Sequence, residues 1–287
     1  MTPTQTKVEG DPFFITGPAL ISFSGGRTSA YMLWRILQAH GGTLPDDVHV
    51  CFANTGKERE ETLRFVHNCA TRWGVRVRWL EFMSERKSAG AEGRIQEVGY
   101  NSASRNGEPF DRLIAEKQAV PSTLRGRWCT DYLKVRTLQD FMSLQGFEPG
   151  EYTEVIGIRS DEAHRAQRLR DKERNLASQI ATPLIDHGVR KDDVLTFWKR
   201  QDFDLELPRG YGNCDHCPFV GTKNRVARAR FDPAGTFWWA KHEQDRKFAM
   251  GRESVVEVLG MVASQPELIP DDYADAECGL WCAGEAA

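Results

Sequence analysis

Two sets of residues in this chain have the types and spacing to do chemistry. The first is Ser24-Gly25-Gly26-Arg27-Thr28-Ser29. Adjacent glycines let a backbone approach an anion with no Cβ in the way, and the Ser24, Thr28 and Ser29 hydroxyls can donate to it. If the loop opens a helix, the free N–H groups and the positive end of the helix dipole face the same spot, which seats a phosphate. The same residues also suit an ordinary strand-to-helix turn. The loop is not a Walker A loop, since no Gly-Lys-Ser/Thr follows, and it is not the dinucleotide G-x-G-x-x-G.

The second set is sulfur. Cysteines stand at Cys51, Cys69, Cys129, Cys214, Cys217, Cys278 and Cys282. Cys51 lies in an apolar strand pattern and Cys69 on a helix, so both read as small core residues. Cys214-Asp215-His216-Cys217 is a Cys-x-x-Cys pair in a loop rich in Gly, Asn and Pro. That setting favours ligation over a thioredoxin-like exchange, with His216 a bystander. Cys129, Cys214 and Cys217, joined by Cys278 or Cys282, make four thiolates, which suit a 4Fe–4S cluster or a structural zinc ion.

These groups need elements to position them. Ala19 to Phe23 is an apolar run that reads as a buried strand, and Ala30, Leu33, Trp34 and Leu37 mark one face of a helix after the loop. Val48 to Ala53 reads as a second strand, ending in the turn Asn54-Thr55-Gly56 and followed by a helix over Glu58 to Trp73. Val75 to Leu80 alternates like a half-buried strand, and Glu154 to Ile158 is another, ending in Arg159-Ser160-Asp161-Glu162. Strands alternating with helices imply an α/β fold, a mostly parallel twisted sheet with helices on both faces. Ligands of such sheets bind at the carboxyl ends of the strands, so the loop and the Asn54–Gly56 turn are expected to share one crevice. Asp161 would hold a metal such as magnesium or cap the next helix.

Met83 to Pro109 reads as a long polar loop able to cover a substrate. Asp111 to Ala119, Leu133 to Gly146, Lys191 to Arg200 (with Asp192 as its cap), Phe237 to Met250 and Val255 to Val262 read as helices. Residues 1–190 are expected to form the nucleotide-binding α/β domain. Residues 191–287 would be a helical extension carrying the Cys-x-x-Cys knuckle and an acidic C-terminal tail, packed with it as one unit.

Composition bounds the partners. With 38 Lys and Arg against 41 Asp and Glu in 287 residues, the formal charge is −3, so no global footprint for nucleic acid is present. A local run, Lys223, Arg225, Arg228 and Arg230, could still attract an anion or simply form a basic face. No apolar stretch approaches the ~18 residues that span a bilayer, and Met1 to Pro12 lacks the pattern of a secretory signal. The expectation is a cytoplasmic protein with no membrane partner. Glu253 to Ala287 carries no Lys or Arg but eight carboxylates, a tail that could fold over a basic groove or stay disordered.

Read in order, these motifs resemble the phosphoadenosine phosphosulfate (PAPS) reductase family of the adenine nucleotide α-hydrolase, or PP-loop, superfamily. The resemblance runs from about Ala19 to Cys282. Ser24–Ser29 resembles the pyrophosphate loop and Asn54-Thr55-Gly56 the adenosine-contacting segment. Cys129 with Lys134 is similar to the cluster-adjacent segment, and Gly157-Ile158-Arg159-Ser160-Asp161-Glu162 to the segment that approaches the phosphates. Glu277-Cys278-Gly279-Leu280 is similar to the terminal signature of the family. Three departures stand out: Thr28 where ATP pyrophosphatases carry Asp, Thr130 in place of a second cysteine, and Trp281 in place of His.

The resemblance implies an adenine nucleotide (ATP, PAPS or APS) at the loop and a 4Fe–4S cluster, with zinc as the alternative. It implies Cys278 as the nucleophile toward sulfonucleotide sulfur, with Lys134, Arg159 (as a bidentate donor) and the glycine loop holding the phosphates, and a thiol reductant such as thioredoxin. An ATP pyrophosphatase that adenylates a substrate and transfers sulfur is the alternative enzyme. A nucleotide-binding module with structural zinc is the non-catalytic one.

Overall fold

Ala19–Ser22 (β1) is buried at every position, as a strand covered on both faces must be. Around it Val48–Asn54 (β2), Val77–Phe82 (β3), Ile95–Val98 (β4), Thr153–Ile156 (β5) and Gln179–Ala181 (β6) complete a six-stranded sheet in the order β4-β3-β2-β1-β5-β6. Every pairing is parallel except β3 with β4. The computed structural model describes residues 10–123, 126–162, 164–167, 179–207, 211–212, 214–247 and 249–264.

Alternate residues of the strands supply two cores, one on each face. Ala19 and Ile21 of β1 and Val48, Val50 and Phe52 of β2 pack with Arg27–Ala39 (α1) and Glu60–Trp73 (α2). Leu20, Cys51 and Ala53 point the other way, onto Leu138, Phe141 and Met142 of Thr137–Leu144 (α6). Cys51 and Cys69 are fully buried core residues, and burial pushes both thiols up.

The remaining helices follow in chain order. They are Gly90–Arg94 (α3), Glu108–Lys117 (α4), Trp128–Thr130 (α5), Pro183–Asp186 (α7), Lys191–Trp198 (α8), Thr222–Phe231 (α9), Pro233–Arg246 (α10) and Val255–Ser264 (α11). A π-helical turn, Asp131–Arg136, joins α5 to α6.

The stretch from Met83 to Pro109 is not one long loop. It holds α3 and the edge strand β4, and α4 begins at Glu108. The strand is four residues long with a single buried side chain, Ile95, so alternation has little room to show. Its polar residues find partners on β3: Gln96 donates to Glu81, and Glu97 accepts from Arg78. The helix over 191–198 is boxed at its start by Asp193, whose carboxylate accepts from the Arg190 N–H at 2.8 Å, and not by Asp192.

The chain steps from β1 to β2 on one side and later returns to β5 on the other, so its direction reverses at β1. Such a switch point leaves a crevice outside the carboxyl ends of the strands. The glycine loop follows β1 into that crevice.

One titration is built into this frame. The Ile15 N–H donates to His40 Nε2 at 3.0 Å, which requires a neutral ring nitrogen, and burial lowers the His40 pKa from 6.5. A lowered folded pKa gives stability that is present above 6.5 and lost as pH falls through the folded value. Amide exchange at Ile15 should therefore quicken on acidification, and exchange independent of pH beyond the chemical rate would refute the assignment.

Candidate functional site: a glycine loop at the switch point

Gly25 is the residue that lets the loop turn. Its φ is +78°, and a Cβ there would stand 2.8 Å from Thr62 Cγ2 and 3.1 Å from Phe52 Cε2. The turn thus needs both the left-handed conformation and the missing side chain. Gly26 is the N-cap of α1 and has no side chain to close the helix end, and the first turn carries no acid. The amino end of α1 is therefore a dipole terminus of the kind that attracts anions.

The hydroxyls are arranged rather than loose. Ser29 Oγ donates to the Gly26 carbonyl at 3.0 Å and lies 3.0 Å from Ser24 Oγ. Arg27 points away from the crevice. Its Nε meets Asp204 at 2.7 Å, and its carbonyl accepts from Trp198 Nε1 at 3.0 Å.

The end of β5 closes the other wall. A Cβ on Gly157 would lie 3.1 Å from the Ser29 Cα, so only glycine lets β5 come this near the first turn of α1. Two residues on, Arg159 is 7% exposed and donates from Nη1 to Thr28 Oγ1 at 3.0 Å. Asp161 accepts from Arg159 Nε at 3.2 Å, and Glu162 lies 3.6 Å from Nη2. Asp161 thus orients Arg159. The glycine loop, Thr28, Ser29, Arg159 and Asp161 thus lie together, with Asp161 paired to Arg159 where the sequence offers it as a metal ligand or a helix cap.

The Asn54–Gly56 turn is largely engaged with itself. Asn54 Nδ2 donates to Glu81 at 2.6 Å and to the Ser104 carbonyl at 2.9 Å. Thr55 donates from its N–H and hydroxyl to Glu58 at 2.7 and 2.8 Å. The Gly56 N–H donates to Asn54 Oδ1 at 3.2 Å, so the side chains and amides of this turn serve to hold its shape. Lys134, on the π-helical turn, is buried with its Nζ 3.5 Å from Glu58 Oε1, so it belongs to the β2 end of the crevice.

The residues just after the turn escape a reading by motif. Lys57 Nζ meets Asp215 Oδ2 at 2.6 Å, with both side chains under 10% exposed, and the Lys57 carbonyl accepts from the Asp215 N–H at 3.0 Å. Asp215 also accepts from Trp239 Nε1 at 2.7 Å. Burial pushes the Asp215 carboxyl up while the ammonium opposes it. The Cys-x-x-Cys knuckle is thereby pinned to the carboxyl end of β2. The only sequence signal for this anchor is a lysine directly after a strand-ending turn.

Cys129 packs in the apolar cluster that contains Trp239, and the Arg127 guanidinium stacks 4.2 Å over Phe219, just beyond the knuckle. Cys129, Cys214 and Cys217 are each half-buried. Among the described residues, however, no group of three His, Cys, Asp or Glu side chains is gathered so as to hold a metal ion. These residues alone do not form a cage for a cluster or a zinc ion. Cys278 and Cys282 lie outside the described residues, as does the acidic tail beyond Ser264. The basic run is not a solvated face, since Arg225 and Arg228 are each 2% exposed. His216 is fully buried beside Arg225, and burial and that neighbour pull its pKa to about 3.

No helix among the described residues is long and apolar enough to cross a membrane. No family model matches the chain. In solved structures, it is similar to the U34-tRNA thiolase NcsA from Methanococcus maripaludis with its 4Fe–4S cluster. The TM-score is 0.41 at 12% identity, over 98% of this chain and 81% of that one, a likeness too loose to carry fold or function. In sequence, it is 35% identical over 200 residues to an uncharacterised nin region protein of Escherichia phage lambda, covering 69% of this chain and 64% of that protein. It is 27% identical over 221 residues to an uncharacterised protein of Methanocaldococcus jannaschii, covering 75% of this chain and 39% of that one. The chain is thus similar to two uncharacterised proteins and spans less than two thirds of the length of either.

Proposed function

We propose that this chain is an enzyme that binds an adenine nucleotide by its phosphates at Ser24–Ser29 and performs sulfur chemistry on it. One observation carries the reading. At the switch point of the sheet, a helix end left open by Gly26 meets a buried guanidinium, Arg159, bonded to a side chain of the same helix turn. Backbone N–H groups and a guanidinium fork are the usual partners of phosphate oxygens.

The pairing of Thr28 with Arg159 favours a sulfonucleotide over magnesium–ATP. A carboxylate at position 28 could hold a metal ion against a triphosphate. Here a neutral hydroxyl stands at that position and accepts from Arg159, so the positive charge beside the loop is a guanidinium.

The proposed reaction begins with the Cys278 thiolate attacking the sulfur of the sulfonucleotide. An S–S bond forms, the S–O bond to the nucleotide phosphate breaks, and the nucleotide leaves with that electron pair. A dithiol reductant of the thioredoxin class then attacks Cys278 Sγ and releases sulfite. The donor becomes a disulfide and Cys278 returns as a thiol. The glycine loop and Arg159 orient the nucleotide and balance the charge that grows on the departing phosphate.

The test is sulfite release from PAPS or APS in the presence of a dithiol, for the wild type and Cys278→Ser. Release by the wild type, lost in Cys278→Ser with nucleotide affinity unchanged, is the expected result. Full activity of the serine variant would remove Cys278 from the reaction. Cleavage of ATP to AMP and pyrophosphate with no sulfite would replace reduction by adenylation.

A further inference from the structure

Residues 202–207, Asp-Phe-Asp-Leu-Glu-Leu, follow α8 with no regular secondary structure, and their side chains alternate. Phe203, Leu205 and Leu207 pack against the core that α1 and α2 share. Asp202, Asp204 and Glu206 face outward, and each meets an arginine on one of those helices. Asp202 pairs with Arg72 and Glu206 with Arg64, both on α2. Asp204 pairs with Arg27, the first residue of α1. The segment is thus a strap, held down by apolar side chains and stitched to the two helices by ion pairs.

The middle pair differs from the other two. The Arg27 side chain is 23% exposed, against 44% for both Arg64 and Arg72. Its guanidinium meets the carboxylate as a fork, Nε to Oδ1 at 2.7 Å and Nη2 to Oδ2 at 2.9 Å, and Nη2 also donates to the Leu205 carbonyl. Such bidentate geometry fixes direction as well as distance. The Arg27 carbonyl is held too, accepting from Trp198 Nε1 at 3.0 Å. A peptide group is planar, so holding that oxygen sets the plane that carries the Thr28 N–H. Arg27 links the two glycines to the Thr28–Arg159 bond, and residues 198–205 fix it at both side chain and main chain.

We propose that Asp204 is a positioning residue for the phosphate site: through Arg27 it holds the first turn of α1 in the orientation that an oxyanion meets. The proposal rests on the reading of Ser24–Ser29 as a phosphate loop. It makes a carboxylate a contributor to anion binding, the opposite of what its charge alone would do. By charge alone, removing Asp204 would tighten an anion at the loop. By positioning, removing it loosens the anion.

The test is calorimetric titration with AMP of the wild type, Asp204→Ala, Arg27→Met and the double variant, with urea unfolding of each. Asp204 is 41% exposed, so alanine should leave the unfolding midpoint nearly unchanged. AMP affinity should fall about 5-fold in Asp204→Ala and by a similar factor in Arg27→Met. The double variant should bind no more weakly than Arg27→Met, because Asp204 acts through Arg27. Arg64→Gln, which cuts a pair between the strap and α2, should keep wild-type affinity. Unchanged or tighter AMP binding in Asp204→Ala, additive losses in the double variant, or an equal loss in Arg64→Gln would overturn the proposal and leave the phosphate loop standing. If the wild type binds no AMP, the reading of the loop fails, and the proposal with it.

Discussion

Gly26→Val protein should fold as the wild type does and bind no adenine nucleotide. Gly26 has φ −96° and ψ 162°, an extended conformation open to any residue, and an added Cβ would meet only Ser24 Oγ at 3.8 Å. A valine is therefore accommodated by the fold. Its branched methyl groups would stand over the N–H groups that open α1, where a phosphate must come. Several charge-assisted hydrogen bonds of about 1.5–3 kcal/mol each would be lost, so affinity should fall by at least about 100-fold.

The neighbouring glycine gives the contrast. Gly25→Val forces a β-branched residue to φ +78° and drives a Cβ to 2.8 Å from Thr62. Left-handed strain and overpacking together should cost about 2–4 kcal/mol of stability. Circular dichroism, urea unfolding and a nucleotide titration on the two variants check both expectations. Wild-type affinity in Gly26→Val would move the phosphate site elsewhere.

The largest loss of stability should come from Lys57→Met. Lys57 and Asp215 are 6% and 9% exposed at their side chains, with Nζ and Oδ2 2.6 Å apart. Methionine keeps the shape and removes the charge, leaving an enclosed carboxylate with the Trp239 N–H at 2.7 Å and the charge of Arg59. Breaking one partner of a buried pair costs about 3–5 kcal/mol, because the remaining charge is desolvated without compensation. The deficit should shrink as pH is lowered. Burial already raises the Asp215 pKa, and without Lys57 it rises further. A carboxyl with a folded pKa above its unfolded value favours the fold when protonated and opposes it when ionised. Unfolding by urea at pH 5 and pH 8 reads the effect. A loss below about 1 kcal/mol at both would show that the pair is not what pins the knuckle to β2.

The parts of this architecture legible in the sequence are those where local pattern and tertiary burial agree. β1, β2 and β5 are runs of apolar residues because both of their faces are covered, and each ends in the turn or polar segment that its position at the carboxyl edge requires. The glycine loop and Arg159 are far apart in sequence, yet the α/β alternation places both at the same edge. β4 is not legible, since a four-residue edge strand with one buried side chain carries almost no period.

Arg225 and Arg228 show the converse case. Their run of basic residues without an acid resembles a solvated face, but the chain buries both, with Arg225 donating to the Glu253 carbonyl and Arg228 to the Cys214 carbonyl. Charge alone does not signal burial, because the compensating groups lie on other segments. The Lys57–Asp215 anchor is hidden for the same reason. Each residue is unremarkable in its own turn, and their meeting depends on how the last helices dock onto the sheet.

Binding of an adenine nucleotide by its phosphates is the claim on which the rest depends. Its most direct test is calorimetric titration of the wild-type chain with adenosine, AMP, APS and ATP in turn. Saturable binding of the phosphate-bearing ligands with about one equivalent per chain, and none of adenosine at the same concentrations, is the predicted result. No binding of any phosphorylated ligand, or equal binding of adenosine, would contradict the assignment of Ser24–Ser29 and Arg159 as a phosphate site.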